Sequence, residues 1–406
     1  MRFPIEHLLK EGTKAPATKS LNGVGLLNLI REHGPISRAA LATLAHLSKP
    51  TVSSIMDELI RRSLVVEEGL GKSGASGGKR PTLVRFNERN GYLVAVEIGG
   101  TEIRLALTDL EGTILDEHRI SSQLDGGPKH VLGRVNQGVR ELSGSEGAVR
   151  SKLQVVSIAA SGPIDVRGGV IHDTGNIFNW ASVPVRDILE PVLGVPVWID
   201  NNVNMAALGE LDHGVARGEQ NFVLIRLDTG IGCGVVVGGQ LYYGSHWAAG
   251  EIAHLILNTA DAARDWGLRG YLEVNVAEDR VAEQSRAAAA ESPAIAALAK
   301  EMGDAPALIA AGLAGDPAAA TVERIATHLA LGVGAIAATY DPSLIVLQGR
   351  LFEPLLEHIR TVVNRMLPWG ARISLSSLGE DAVLLGTIAA ARAQAFERIV
   401  RALDRS

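Results

Sequence analysis

The segment LDTGIGCGVVVGGQLYYGSHWAAGEIAH, residues 227–254, decides the fold. Residues 225–237 form an apolar, β-branched run that three glycines interrupt, and we expect a hairpin whose tight turn exposes backbone amides to a phosphate. The end of the segment places Glu251 and His254 three residues apart, so a turn of the chain would bring both side chains to one polar ligand. The ordinary alternative is a glycine-rich turn without a ligand, and the combination of both features favours a ligand site.

The totals describe a globular protein of more than one domain. The chain has 406 residues, of which 46% are apolar and 21% charged, so two or three domains with sizeable cores are expected. A single cysteine, Cys233, excludes a disulfide framework and a cysteine-cluster zinc site. No apolar run approaches the roughly 20 residues of a membrane span, and MRFPIEHLLKEGTK at the start lacks the features of a signal peptide. The expected location is the cytoplasm, with no membrane partner.

Charge is distributed unevenly between the two parts of the chain. Residues 1–90 hold 14 Lys and Arg against 8 Asp and Glu, whereas residues 91–406 hold 25 against 37. A basic head on an acidic body is expected when only the head contacts a polyanion such as DNA, and surface variation is the alternative.

The head reads as a winged helix-turn-helix over residues 21–88, preceded by an arm at 1–20. A helix over 21–33 ends at Gly34-Pro35, and Ser37 and Ser48 are suitable N-caps for two further helices that end near residues 46 and 62. Strands are expected at 64–68 and 82–86, with a glycine-rich, basic tip between them. The alternative is a generic three-helix domain, which would explain neither the hairpin nor its basic tip.

The second helix of such a motif enters the major groove of DNA, and the wing contacts phosphate or the minor groove. Short hydroxyls and cations at the exposed start of that helix, at the helix before it and on the wing can reach base edges and phosphates. The predicted DNA-binding residues are Ser37, Arg38, Ser48, Lys49, Thr51, Ser53, Ser54, Lys79 and Arg80.

A short linker over 87–91 leads into the body. We expect a strand hairpin at 92–98 and 103–109, a buried strand ending at Asp200, and α-helices alternating with strands to the end of the chain. The body is predicted to form two α/β lobes, about 91–199 and 200–385, with a ligand cleft between them and a terminal helix at about 384–403.

Several of these motifs resemble the ROK family of sugar kinases and sugar-sensing repressors. The resemblance rests on the hairpin at 225–237 and on Gly250-Glu251-Ile252-Ala253-His254, where Ala253 replaces the usual glycine. It covers essentially the whole chain, with the winged helix marking the repressor branch. It implies an α/β fold class: an N-terminal winged helix-turn-helix followed by a two-lobed domain of the actin-like ATPase fold.

The resemblance also implies that phosphoryl transfer has been lost. The family's kinases take the hydroxyl proton with the Asp of an Asn-Asp pair, and here the pair reads Asn201-Asn202. An amide cannot accept that proton, so no general base remains. Glu97 replaces the Asp that begins the family's phosphate loop, and Gln348 and Arg350 would crowd a nucleotide. No catalytic residue and no cofactor are predicted.

Residues 264–273 align with the family's zinc motif, C-x-C-G-x-x-G-C-x-E. Arg264, Trp266 and Tyr271 stand in place of its three cysteines, while both glycines and Glu273 remain. Because a structural site of that kind needs thiolates beside the His, no metal is predicted, and we expect the aromatic residues to fill the space.

The positions that contact a pyranose in the family keep the side chains that a polyol needs. Each sugar hydroxyl both donates and accepts a hydrogen bond, so amides, carboxylates and a His suit it. For His254 alone, a buried core histidine is the bland alternative. The predicted sugar-binding residues are Asn176, Asn201, Asn202, Glu251, His254 and Glu273.

The sequence therefore predicts a non-catalytic, sugar-responsive transcriptional regulator, a repressor of carbohydrate uptake or catabolism genes. Its expected partners are operator DNA, a small sugar effector and further copies of itself in a homodimer or homotetramer. The alternatives are an active sugar kinase with a DNA-binding head and a repressor that a protein partner controls.

Overall fold

The computed structural model describes residues 16–71, 80–144, 146–172 and 180–404. The head packs three helices against a small antiparallel sheet of order β1-β3-β2. Ser37 and Ser48 cap α2 and α3 as expected, since their Oγ atoms accept from the N–H groups of Ala40 and Thr51, each at 3.2 Å. The head elements are α1 (Pro16–His33), β1 (Ile36–Ser37), α2 (Arg38–Leu44), α3 (Lys49–Arg61), β2 (Val65–Leu70) and β3 (Thr82–Phe86).

The boundaries of the head differ from the sequence prediction in three places. Helix α1 begins at Pro16 rather than at residue 21, because Pro is favourable in a first helical turn. Strand β2 continues to Leu70 through a bulge between Glu67 and Gly69, which the glycine-rich composition concealed. Strand β1 was not predicted, since two residues are too few to show a period. Lys79 lies outside the described residues.

The first lobe is a sheet of order β11-β7-β4-β5-β6. Strands β4, β5 and β7 are almost wholly buried because helices cover both faces, which is why they read as unbroken apolar runs. The elements are β4 (Tyr92–Ile98), β5 (Glu102–Asp109), β6 (Ile114–Ser121), α4 (Gly127–Ser143), α5 (Ala148–Ser151), β7 (Leu153–Ala160), β8 (Ile164–Asp165), β9 (Val170–Ile171), β10 (Val183–Pro184), α6 (Val185–Leu193) and β11 (Val197–Asn201).

Helix α7 (Asn202–Asp212) leads to the second lobe, a sheet of order β14-β13-β12-β15-β16. Its core is built from β12, β13 and β15 against the long α12 and α13. The elements are β12 (Phe222–Leu227), β13 (Ile231–Val237), β14 (Gln240–Leu241), α8 (Tyr271–Val276), α9 (Glu278–Ala289), α10 (Pro293–Met302), α11 (Asp304–Leu313), α12 (Ala319–Tyr340), β15 (Leu344–Gln348), α13 (Phe352–Met366) and β16 (Ile373–Leu375).

The terminal helix α14 (Asp381–Asp404) joins the parts of the molecule. Its first half packs on α7 so closely that a Cβ on Gly386 would lie 1.6 Å from the carbonyl oxygen of Met205. Its second half supplies Phe396 and Val400 to the hydrophobic core of the head, together with Leu93 of β4. The head therefore shares its core with the body. Among the described residues, no helix is both long and apolar enough to cross a membrane.

Candidate functional site

The exposed start of α3 carries the groups best placed for DNA. Val52, Ile55, Met56 and Leu59 turn inward to the head core, which leaves the N-terminal turn and one flank of the helix facing solvent. Lys49 and Ser54 are exposed on that surface, and Thr51 and Ser53 are half-buried. Arg80, at the base of the wing, is exposed as well.

The remaining predicted DNA-binding residues also hold the head together. Ser37 and Ser48 are engaged as caps, and the Ser48 hydroxyl lies 2.7 Å from that of Thr51. Arg38 donates from Nη1 to Asp57 Oδ1 at 2.7 Å. Contact of these three side chains with DNA stays a prediction, and each has a structural role beside it.

Gly250 packs closely on β13, and the predicted sugar-binding residues Glu251 and His254 come directly after it in the chain. The N–H of Cys233 donates to the carbonyl of Gly250 at 2.9 Å, and Gly250 has φ 91°, where a Cβ would lie 1.7 Å from the Cys233 carbonyl oxygen. Glu251 then opens a short 3₁₀ turn, Ile252–His254. Glu251 is half-buried and the ring of His254 is exposed, so His254 is no core histidine.

Glu273 reaches the same place from a different element. Gly270, with φ 77°, packs so closely on the 3₁₀ turn that a Cβ would lie 2.4 Å from the Ala253 carbonyl oxygen. This contact places the start of α8 beside Glu251, and Glu273 is only 3% exposed. Burial first and the charge of Glu273 second raise the pKa of Glu251. The two carboxylates are therefore close enough to act on each other, and their contact with a sugar stays a prediction.

Aromatic packing holds residues 264–273, as predicted. The rings of Trp266 and Tyr271 meet edge to face at 4.9 Å, and the Tyr271 hydroxyl lies 2.8 Å from Nε2 of His328. No group of three or more His, Cys, Asp or Glu side chains in the described ranges is arranged to hold a metal ion. Absence of zinc from the protein stays a prediction.

Asn201 and Asn202 stand at the carboxyl end of β11, where α7 begins. Asn201 caps α7 by accepting from the N–H of Val203 and also donates to the carbonyl of Gly162, both at 2.7 Å. Asn202 donates to Ser161 Oγ at 3.3 Å, while its Oδ1 is buried and has no hydrogen-bond partner among the described residues. A buried acceptor without a partner is costly, and a ligand hydroxyl would satisfy it.

Asp200, the carboxylate nearest to this pair in sequence, is committed elsewhere. It is 1% exposed, and its Oδ1 accepts from the N–H of Asn201 and from Nδ2 of Asn204 at 2.7 and 2.9 Å. Its Oδ2 accepts from the hydroxyl of Tyr243 at 2.7 Å, and burial raises its pKa to about 6. Asp200 therefore stabilises the chain around the start of α7 by accepting hydrogen bonds from Asn201, Asn204 and Tyr243. Sequence reasoning missed Tyr243, because nothing local connects residues 43 positions apart.

Two long side chains that, by the resemblance, would crowd a nucleotide are held by contacts within the protein. Gln348 donates to the carbonyl of Gly379, and Arg350 pairs with Glu278. Glu97 lies 3.6 Å from Arg104, and burial raises its pKa although Arg226 and Arg104 act in the opposite direction. Its Oε2 has no hydrogen-bond partner in the part of the chain that the structure describes.

The two groups of site residues are connected by β13. A Cβ on Gly234 would lie 2.8 Å from the carbonyl oxygen of Val203, so the start of α7 packs directly on this strand. Glu273 accepts from the N–H of Ile231, the first residue of the same strand, at 3.2 Å. Five of the predicted sugar-binding residues thus lie on elements that pack against β13, and their contact with a common ligand stays a prediction. Asn176 lies outside the described residues.

Comparison with known proteins agrees with this architecture. The sequence profile of the ROK family matches residues 93–394, and that of a winged helix-turn-helix DNA-binding domain matches residues 23–66. The xylose repressor of Bacillus subtilis strain 168 is 30% identical over 380 residues, covering 91% of this chain and 94% of that protein. The glucokinase of Halalkalibacterium halodurans is 30% identical over 314 residues, covering 73% of this chain and 93% of the glucokinase.

The fold has a counterpart in a solved structure. A ROK family transcriptional regulator described as a homologue of the E. coli MLC protein superposes with a TM-score of 0.76, covering 96% of this chain and all of that one, at 21% identity. The predicted fold class, a winged helix-turn-helix before a domain of the actin-like ATPase fold, is confirmed. The chain belongs to the ROK family and carries a winged helix-turn-helix at its N-terminal end.

Proposed function

We propose that the protein is a sugar-responsive repressor that binds operator DNA with its winged head and senses a sugar in the cleft of its ROK domain. One observation carries the proposal: a winged helix-turn-helix and a sugar-kinase fold occur in one chain in which Asn202 occupies the position of the kinase base. The chain then keeps the recognition of a polyol and loses the reaction.

A sugar suits the chemistry around β13. The site offers an unsatisfied amide oxygen at Asn202, two carboxylates at Glu251 and Glu273, and the exposed imidazole of His254. Sugar hydroxyls can donate to the Asn202 oxygen and to both carboxylates. With the imidazole of His254 they can act either as donor or as acceptor. Relatives named xylose repressor make D-xylose the first sugar to test, before D-glucose and N-acetyl-D-glucosamine.

The same fold supplies a route from the cleft to the head. Asn202 begins α7, α7 packs on the first half of α14, and the second half of α14 completes the head core. Arg31 of α1 forms a two-point ion pair with Glu111 of the first lobe, at 2.7 and 3.2 Å, and lies over the ring of Phe396. A sugar that alters the start of α7 can therefore alter the seating of the head.

The repressor is expected to act as a homodimer or homotetramer. Two-fold proteins match two-fold operators, with half-sites about 34–36 Å apart or a multiple of that distance. Sedimentation of the purified protein and mobility shift of its own promoter DNA test both points. A monomer at micromolar concentration that leaves this DNA unshifted would contradict the proposal.

An active sugar kinase with a DNA-binding head is the second candidate, favoured by the glucokinase relatives. An assay of ATP-dependent phosphorylation of D-glucose and D-xylose separates the two functions. We expect no product from the natural chain, because no carboxylate stands at 202 and Arg350 and Gln348 are fixed across the nucleotide face. Turnover at rates ordinary for a kinase would favour the second candidate.

A further inference from the structure

Arg269 makes four hydrogen bonds to three elements that surround the proposed sugar site. Its Nε donates to Glu273 Oε1 at 2.7 Å, and Nη1 and Nη2 donate to the two oxygens of Asp279 at 2.7 and 2.9 Å. Nη2 also donates to the carbonyl of Thr229 at 2.7 Å, in the turn between β12 and β13. The side chain is 19% exposed, and two carboxylates and one backbone carbonyl hold the guanidinium in place.

This arrangement determines how Glu273 meets a ligand. Glu273 Oε1 accepts from Arg269 and Oε2 accepts from the N–H of Ile231, so each oxygen is fixed and each keeps a second lone pair. The carboxylate is almost fully buried, its charge raises the pKa of Glu251 nearby, and the guanidinium of Arg269 lies directly against it. The bidentate pair with Asp279 fixes the guanidinium in its plane, and Asp279 holds the pKa of Arg269 above its usual range.

We propose that Arg269 is the positioning residue of the sugar site, orienting Glu273 as a hydrogen-bond acceptor and tying it to the β12–β13 turn. The inference rests on the proposed sugar-sensing function and deepens it. In this proposal the Arg269 guanidinium orders residues 264–273, a segment that contains no cysteine. A planar fork is required for this task, because a lysine ammonium is a point charge that cannot hold the orientation of two carboxylates at once.

The test uses the full-length protein and three variants. Arg269→Gln removes the charge, Arg269→Lys keeps the charge without the fork, and Arg286→Gln removes an ion pair of the same lobe, 2.6 Å to Asp304, that is remote from Glu273 in its contacts. Calorimetry with D-xylose, D-glucose and N-acetyl-D-glucosamine gives the affinity between pH 5 and pH 8. Thermal unfolding of each variant shows separately how much stability has changed.

We expect Arg269→Gln to bind the sugar about tenfold more weakly or worse, because an oriented, charge-assisted acceptor is lost. The pH below which affinity falls should move upward, since without the guanidinium the charge of Glu273 raises the pKa of Glu251 unopposed. Arg269→Lys should recover part of both effects, and Arg286→Gln should bind as the natural chain does. If Arg269→Gln fails to fold, Arg269→Lys still tests the proposal through its altered pH profile.

Two results would overturn the inference while leaving sugar sensing intact. The first is a sugar affinity and pH profile for Arg269→Gln or Arg269→Lys equal to those of the natural chain. The second is an equal loss of affinity in Arg269→Gln and Arg286→Gln, which would make the effect one of general stability. If the natural chain binds none of the three sugars, the proposed function itself fails and the role of Arg269 falls with it.

Discussion

At the scale of residues, Glu251 is the carboxylate of the site that remains half-open to solvent, and we expect it to accept from a sugar hydroxyl. Glu251→Gln should lower D-xylose affinity about tenfold or more, because an amide is a weaker acceptor than a carboxylate. Calorimetry measures the change, with Glu283→Gln, an exposed carboxylate of the same lobe, as the matched control. Equal affinity in Glu251→Gln and the natural chain would remove Glu251 from the site.

Lys49 carries the corresponding expectation for DNA. Its exposed ammonium stands at the first position of α3, so Lys49→Ala should weaken operator binding and lower the slope of affinity against salt by about one phosphate contact. Lys129→Ala, an exposed Lys on α4 of the first lobe, is the control and should leave the slope unchanged. Sugar affinity should be the same in all three proteins, and an unchanged salt slope for Lys49→Ala would exclude a phosphate contact.

Asp200 predicts a measurable pH dependence of stability. Burial raises its pKa from the ordinary 3.8 to about 6, so between these values the folded protein keeps a proton that the unfolded chain has released. The free energy of unfolding therefore falls as pH rises through this window, by about 3 kcal/mol from this group once it is complete. Urea unfolding at pH 4, 5, 6 and 7 of the natural chain and of Asp200→Asn measures it.

The Asn side chain has a similar volume, can still accept from Tyr243 and has no proton to lose, so the variant should lack this component. Between pH 4 and pH 7, the free energy of unfolding of Asp200→Asn should therefore rise by about 3 kcal/mol relative to that of the natural chain. Parallel curves would show that Asp200 titrates normally.

The contacts of some residues can be predicted from the local sequence, and those of others cannot. Ser37 and Ser48 were predictable as caps because a cap acts on an N–H three residues away. Glu251 and Glu273 were assigned from motifs that resemble the family's, and their contact with a sugar stays a prediction. The partners of Arg269 and of Tyr243 were not, because an ion pair or a buried hydroxyl bond depends on which elements the fold brings together.

At the scale of elements, helix α14 makes contacts that its own sequence does not reveal. An apolar helical period predicts a terminal helix, and it does not indicate that one end packs on α7 and the other completes the head. Gly386 is the clearest trace of that packing, since only a missing side chain allows α14 to approach the backbone of α7. The division into a head and two separate lobes therefore remains a prediction about folding units.

The contact of α1 with the body predicts a variant that separates sensing from DNA binding. Arg31→Gln removes the ion pair to Glu111 and the cation above Phe396 and Phe86, while it substitutes no residue of α2, α3 or the wing. We expect operator affinity without sugar to stay within about threefold of the natural value, and the sugar-dependent change in that affinity to shrink.

Fluorescence anisotropy with labelled operator measures both quantities. Arg401→Gln, which removes an exposed ion pair to Glu397 within α14, serves as control and should respond as the natural chain does. A full sugar response in Arg31→Gln would show that the Arg31–Glu111 pair carries none of the coupling.

At the scale of the whole molecule, the basic head and the acidic body were visible in composition, and the fold class followed from motifs that resemble the ROK family. The arrangement of the predicted sugar-binding residues was less visible, because it depends on close backbone contacts such as that of Gly270 with Ala253. Composition explains why DNA meets one end of the molecule only.

The most direct test of the account is operator affinity measured with and without saturating sugar. If the cleft is a sensor, the sugar must bind more tightly to the DNA-free arrangement than to the DNA-bound one, since a ligand with equal affinity for both shifts nothing. We predict that D-xylose, or another sugar that calorimetry identifies, weakens operator binding by a factor in the range of about 5 to 150. At a sugar concentration that just saturates the natural chain, operator binding by Glu251→Gln should change much less. A sugar that binds the natural chain and leaves its operator affinity unchanged would contradict the account.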